Sequence, residues 1–465
     1  MSIRTSVRNR VLLTAALSAT LLAYAQPSAF ASPATTVNSP TAITSQSVSA
    51  KEISSSEYAA FLKDKFGLTL PENVSRGEFF VDVVRLLDLS PADKPVTFND
   101  LNTSSPYYNA AAALHQNGLL SSDTANASAQ LKAVNAVQLA LRLAGFKELA
   151  YTYSEAKAEK AIAKLPIKLS SLNKQTKQEL AAAIDTGLLP ASYFNQIAPN
   201  APVSADLANL LIGKTLVLKG QYKHYLGYVG DSDIYTKLAD AYHGSVIIKD
   251  DKLQTIVDTA LEQGLVTGYN LKDSQYDSNF IESLKLVYGH SDLQHALQLI
   301  GLLRSEGLEA KVQFEPKTSA FVYLKEWGEP GVSDQYEVRQ ISNGNYIEYA
   351  KEYDISFEFE KAADKQRFNA IISAYAKKNE ENQLGLLVSS WWQPLYYSLT
   401  PLADYKEITN NKIQLGRYYA QSFSLKEQSK ATIDGFKHVD PSVNVQSYDF
   451  WTDIPFFNYL NGEPL

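Results

Sequence analysis

His290, Asp292 and His295 lie close together in Gly289-His290-Ser291-Asp292-Leu293-Gln294-His295, and imidazole and carboxylate side chains are the usual proton carriers and metal ligands. The two histidines are five residues apart, whereas a zinc pair on one helix face needs a spacing of four, so no metal site is expected. Glu348, Glu352, Asp354, Glu358 and Glu360 crowd a second stretch. From Asp354 to Glu360 the acids alternate with apolar residues, which predicts a strand with one solvated face rather than an acid/base pair. His115, His224, His243 and His438 are scattered, and no nucleophile elbow, phosphate loop or dinucleotide fingerprint is present. With no cysteine anywhere, thiolate zinc sites, disulfides and every cysteine nucleophile are excluded. No catalytic residue, metal or cofactor is assigned.

Arg76 is the most informative charge. Ser75 and Glu78 fit a capping box, with Ser75 at the N-cap and Glu78 reaching back to its amide. Arg76 then sits in the first helical turn, where a cation opposes the helix macrodipole by about 0.3–1 kcal/mol. An external anion meeting the guanidinium and the free amides of the helix start would give it a reason to be there.

The motif around it is Val74-Ser75-Arg76-Gly77-Glu78-Phe79, with Val83, Val84, Leu86 and Leu87 on one face. Phe98-Asn99-Asp100-Leu101, the pair Tyr107-Tyr108 and Gly118-Leu119-Leu120 follow. This order resembles an S-layer homology (SLH) repeat. Leu131 to Phe146 resembles the first helix of the next repeat, although Lys132-Ala133-Val134-Asn135 and Val203-Ser204-Ala205-Asp206 both lack the arginine. The resemblance covers residues 54–213. It implies a three-pronged helical module that binds an anionic secondary cell-wall polymer, with Arg76, Glu78, Asp100, Tyr107 and Tyr108 as the candidate ligand-binding residues.

The Gly-Leu-Leu ending of the first repeat recurs after Leu180-Ala181-Ala182-Ala183-Ile184-Asp185-Thr186 and is echoed at Gly264-Leu265-Val266. Glycine in the left-handed region followed by a leucine packing back on its helix is a common helix stop.

Residues 289–324 weakly resemble a transglutaminase-like core, a helix ending Leu302-Leu303-Arg304 before Gly307 and a strand, with Asp292 where that family has its cysteine. A carboxylate cannot replace a thiolate in amide exchange, so that chemistry is not expected.

The elements that must position these residues follow from composition. The chain has 465 residues, 45% hydrophobic, with 43 basic against 50 acidic side chains. Packed cores are expected, and the net charge of −7 disfavours nucleic acid as a partner. Arg4, Arg8 and Arg10 precede the apolar run Val11 to Ala25, the charge order of an export signal, with cleavage expected after Ala31. No later run is long enough for a membrane span. Residues 32–56, rich in Ser, Thr, Ala and Pro, read as a flexible linker. Helical periodicity dominates 57–213. From 214 to 465, segments such as Thr215 to Leu218, Ser245 to Ile248, Ala320 to Leu324 and Tyr353 to Phe359 read as strands between helices. The aromatic pairs Trp391-Trp392, Tyr396-Tyr397, Phe450-Trp451 and Phe456-Phe457 are expected to put one ring into a core and its neighbour outward.

The expected fold class is therefore multidomain, an all-α SLH-like module followed by an α+β domain. The expected protein is exported to the cell wall or surface of a Gram-positive bacterium, consistent with the absence of cysteine. It would be non-catalytic, with the anionic secondary cell-wall polymer and other surface proteins or glycans as the expected partners. The alternative is a secreted glycosidase-like hydrolase acting on envelope or extracellular polysaccharide through two carboxylates that meet only in the folded chain.

Overall fold

Local signals set most of the helix ends. Ser54, Ser75, Ser154, Asn173 and Ser204 each accept a hydrogen bond from the third residue beyond, opening the helices Ser55–Phe66 (α1), Arg76–Leu86 (α2), Glu155–Ile162 (α6), Lys174–Asp185 (α7) and Ala205–Leu218 (α8). Between them lie Tyr108–Gln116 (α3), Ala133–Leu143 (α4) and Lys147–Tyr151 (α5). Gly118 and Gly187 take φ of 68° and 72° and end α3 and α7 as the sequence predicts. The amides of Leu120 and Leu189 turn back onto Leu114 O and Ala183 O.

The structure is a computed structural model that describes residues 52–90, 92–375 and 395–462. The export signal, residues 32–51 of the expected linker and Trp391-Trp392 lie outside the described residues. Among the described residues no helix is long and apolar enough to cross a membrane.

Beyond α8 the chain alternates the helices Ile234–Gly244 (α9), Asp251–Glu262 (α10), Leu293–Ser305 (α11), Ala362–Tyr375 (α12), Ser429–Val439 (α13) and Ile454–Asn461 (α14) with ten strands. The strands are Gly227–Tyr228 (β1), Gly268–Asp273 (β2), Lys285–His290 (β3), Ala310–Tyr323 (β4), Tyr336–Gln340 (β5), Tyr346–Phe359 (β6), Leu395–Ser398 (β7), Lys406–Leu415 (β8), Tyr418–Ser424 (β9) and Val445–Thr452 (β10). Their order is β1-β4-β2-β9-β8-β10-β7-β3-β6-β5, and β6 also pairs with β4. That last pairing, from Ala310 opposite Phe359 to Tyr323 opposite Tyr346, closes eight of the ten strands into an antiparallel barrel. β1 and β5 are short additions at its wall.

This overturns the expected fold class. The second half is not an α+β domain following an all-α module; it is a closed barrel carrying its helices outside, and the described residues from Ile53 onward cluster as one compact unit. Two strand expectations also fail. Thr215 to Leu218 is the last turn of α8, and Ser245 to Ile248 pairs with no strand among the described residues. Ala320 to Leu324 and Tyr353 to Phe359 do fall on β4 and β6, apart from Leu324 just past the strand end.

The barrel wall is apolar on its outer face. Val312, Phe314, Ile355, Phe357, Leu286 and Tyr288 pack beneath α9, α11 and α12, and Leu271, Ile413 and Ala420 beneath α10 and α13. Because residues alternate across a strand, the interleaved positions Lys311, Gln313, Glu315 and Lys317 of β4 and Asp354, Ser356 and Glu358 of β6 point into the barrel, where all are buried. The solvated face expected for Asp354 to Glu360 is an interior face as far as Glu358; only Glu360, just past the end of β6, is exposed.

Candidate functional site

At the starts of α2, α4 and α8 three segments join. Leu131 N donates to Val74 O, Val203 N donates to Leu131 O, and Ser75 bridges Gln130 as Lys132 bridges Pro202. The three positions that the sequence aligns as repeat starts, Ser75, Lys132 and Ser204, thus become the N-caps of three helices tied in series by backbone hydrogen bonds.

The capping box forms as expected: Glu78 N donates to Ser75 Oγ at 3.2 Å and Ser75 N donates to Glu78 Oε2 at 2.8 Å. That backbone amide, followed by the Ser75 hydroxyl, holds the Glu78 carboxyl below its usual range. Arg76 leans over the Phe80 ring, and its Nε donates to Ala125 O at 3.0 Å. Asp100 accepts from the amides of Ala125 and Asn126 at 2.8 and 2.6 Å, so Arg76 and Asp100 clamp the same main chain from two sides. Burial lowers the pKa of the Arg76 guanidinium, and the nearby Asp100 charge partly opposes this. Among the described residues its hydrogen bonding uses Nε alone. Tyr107 lies flat enough on Gly77 that a Cβ there would stand 2.5 Å from the ring. Tyr108 exchanges two hydrogen bonds with Val96, giving to its carbonyl at 2.8 Å and accepting from its amide at 3.1 Å. All five candidate residues therefore gather around the start of α2 and the segments packed on it, each with a structural duty.

The barrel interior is the site that sequence reasoning missed. Lys272 Nζ donates to Glu315 Oε2 at 2.7 Å and to Asp354 Oδ2 at 3.0 Å, and Lys317 Nζ donates to Asp354 Oδ1 at 2.8 Å. Glu315 also accepts from Ser278 N and Ser356 Oγ, and Asp354 from Tyr397 Oη. Burial alone would raise both carboxyls, but the lysines, Lys272 foremost, outweigh it and hold each below its usual range. Burial would likewise lower Lys272, which the two carboxylates instead hold well above the ordinary lysine value. Nearer the helical region, Lys223 and Lys311 share Glu57 and Glu358 at 2.7–2.9 Å. The signal that could have found this was the alternation of lysine and acid with apolar residues in Lys311 to Lys317, a pattern the strand reading passed over.

One end of the barrel opens into a cavity of about 140 Å³. Lys317, Ser319, Glu352, Asn270 and Gln421 line its polar side, and Phe423 with Phe456, Tyr459 and Leu460 at and near α14 its apolar side. His290 lines it too, stacked on His295 with ring centroids 4.2 Å apart. Burial, then His295, pushes the His290 pKa down to about 3, so its ring is neutral. No trio of His, Asp or Glu side chains able to hold a metal occurs among the described residues. Asp292 caps α11 by accepting from Gln294 N at 2.8 Å. Tyr396 and Tyr397 do point to opposite faces, but both are buried, since helices cover the outside of the wall and the network fills its inside. Phe456 and Phe457 lie on α14, not on a strand.

No protein-family model matches the chain, and no curated protein matches it.

Proposed function

We propose that this chain is an exported, non-catalytic protein of the bacterial envelope, whose helical half docks on an anionic wall polymer through the prong that carries Arg76. The observation that carries the reading is the joining of the Ser75, Lys132 and Ser204 helix starts, which fits the three-pronged module that the resemblance implies. The guanidinium supports it in a second way. Nε is fixed on Ala125 O, which leaves the terminal nitrogens to meet an oxyanion in a set orientation. A non-catalytic barrel is favoured by the state of its central carboxylates. Glu315 and Asp354 stand opposite each other in register, but a glycosidase acid needs a carboxyl raised towards neutrality, and lysines hold both of these down.

The test is co-sedimentation of the mature chain with purified Gram-positive wall sacculi. Binding is expected, with loss when the secondary polymer is stripped and about tenfold weakening in Arg76→Gln, the equivalent of one charge-assisted hydrogen bond. Sedimentation indifferent to both treatments would count against the proposal.

A further inference from the structure

The cavity at the barrel mouth holds buried polar groups that the fold itself does not satisfy. His290 and Gln421 are 5% and 7% exposed, and both line the cavity. His290 Nδ1 accepts from Asp292 N at 2.8 Å, so the proton of the neutral ring resides on Nε2, and that N–H has no acceptor. Gln421 Oε1 has no donor. A buried polar group left unpaired costs about 1–3 kcal/mol, and two around one opening are a pattern that a ligand would complete.

Their chemistry restricts what fits. One needs an acceptor and the other a donor, and a hydroxyl supplies both. The charges beside them are already balanced: Lys317 is held by Asp354 at 2.8 Å and Glu352 at 3.5 Å, and Glu352 also accepts from Ser319 Oγ. An ionic ligand would gain no free counter-charge here and would lose its hydration. On the opposite side Phe456 and Tyr459 present ring surface, with Tyr459 49% exposed at the rim. The enclosed volume is close to the roughly 150 Å³ of a cavity that admits benzene, so a ring enters it while its substituents extend to the exposed rim at Tyr459. We propose that the barrel mouth binds a single neutral sugar ring, its hydroxyls bridging His290 and Gln421 and its C–H face lying against Phe456 and Tyr459. This site lies in the barrel and does not rest on wall docking through Arg76.

The mature chain would be examined by saturation-transfer NMR with glucose, N-acetylglucosamine, cellobiose and chitobiose, and with glucuronate as the anionic comparison. Transfer to the ring protons of a neutral sugar is expected. A stronger signal from the disaccharide identifies a glycan end, and an equal one a free monosaccharide; both support the site. Gln421→Leu should weaken binding about tenfold, the loss of one hydrogen bond. Tyr459→Ser, at an exposed position where folding is not at risk, should weaken it several-fold. No transfer from any neutral sugar, transfer unchanged in both variants, or tighter binding of glucuronate than of glucose would each overturn the proposal.

Discussion

Lys272 occupies a position where one side chain decides the state of several others. It is 2% exposed and bonds Glu315 and Asp354 at once. Removing one cation from a buried ion network leaves a carboxylate charge uncompensated away from water, even though Asp354 keeps Lys317 and Glu315 keeps Ser278 and Ser356, which costs about 3–5 kcal/mol. Lys272→Met should therefore lower unfolding free energy by about that amount in urea titrations. An exposed lysine such as Lys430, paired with Asp434 four residues on, should change it by under about 1 kcal/mol when replaced by Met. Equal effects from the two would remove the case for a stabilised interior network. At the same scale Arg76 shows how a residue that looks misplaced in sequence acquires two local roles, a backbone anchor at Ala125 and a cover for Phe80. The Gly77 position beneath Tyr107 is fixed by close approach alone, which no one-dimensional pattern reveals.

Among elements, the contact between α1 and the barrel is the one that pH should expose. Glu57, in the first turn of α1, accepts from Lys223, Lys311 and Tyr222. Burial would raise its carboxyl, but the two ammonium groups outweigh burial and hold it at about 2, below the ordinary 4.5. A carboxyl lowered by folding stabilises the native state fully above its unfolded pKa and loses that contribution as pH falls through the folded value. Thermal unfolding of the protein and of Glu57→Gln should thus differ most above about pH 5 and converge as the pH falls towards 2. A gap that stays constant over that window would show that Glu57 does not hold α1 to the barrel by charge.

For the whole molecule, barrel closure is what makes a charged interior tolerable. Lysines and acids from β2, β3, β4 and β6 neutralise one another at distances of 2.7–3.8 Å away from solvent, while the apolar side of each strand is used against the surrounding helices. Ions in solution screen exposed pairs over about 10 Å at 0.1 M but reach buried ones far less. The melting temperature should accordingly shift by no more than a few degrees between about 0.05 and 1 M sodium chloride. A large fall with salt would place the stabilising charges at the surface.

The amino-acid sequence by itself determined the helix starts at Ser75 and Ser204 and the stops at Gly118 and Gly187, because capping joins residues three to six apart. It also determined the absence of thiol chemistry, since no cysteine is present. It determined that β4 and β6 alternate polar with apolar residues, but not which side would meet water. Tertiary structure decided that, because the partners of Asp354 come from Lys272 and Lys317, 82 and 37 residues away, and reach it only once β4 and β6 close the barrel. An alternating strand looks the same in sequence whether its polar side faces solvent or an enclosed set of opposite charges. The difference is the free energy of pairing across the barrel, which exists only after the chain has closed on itself.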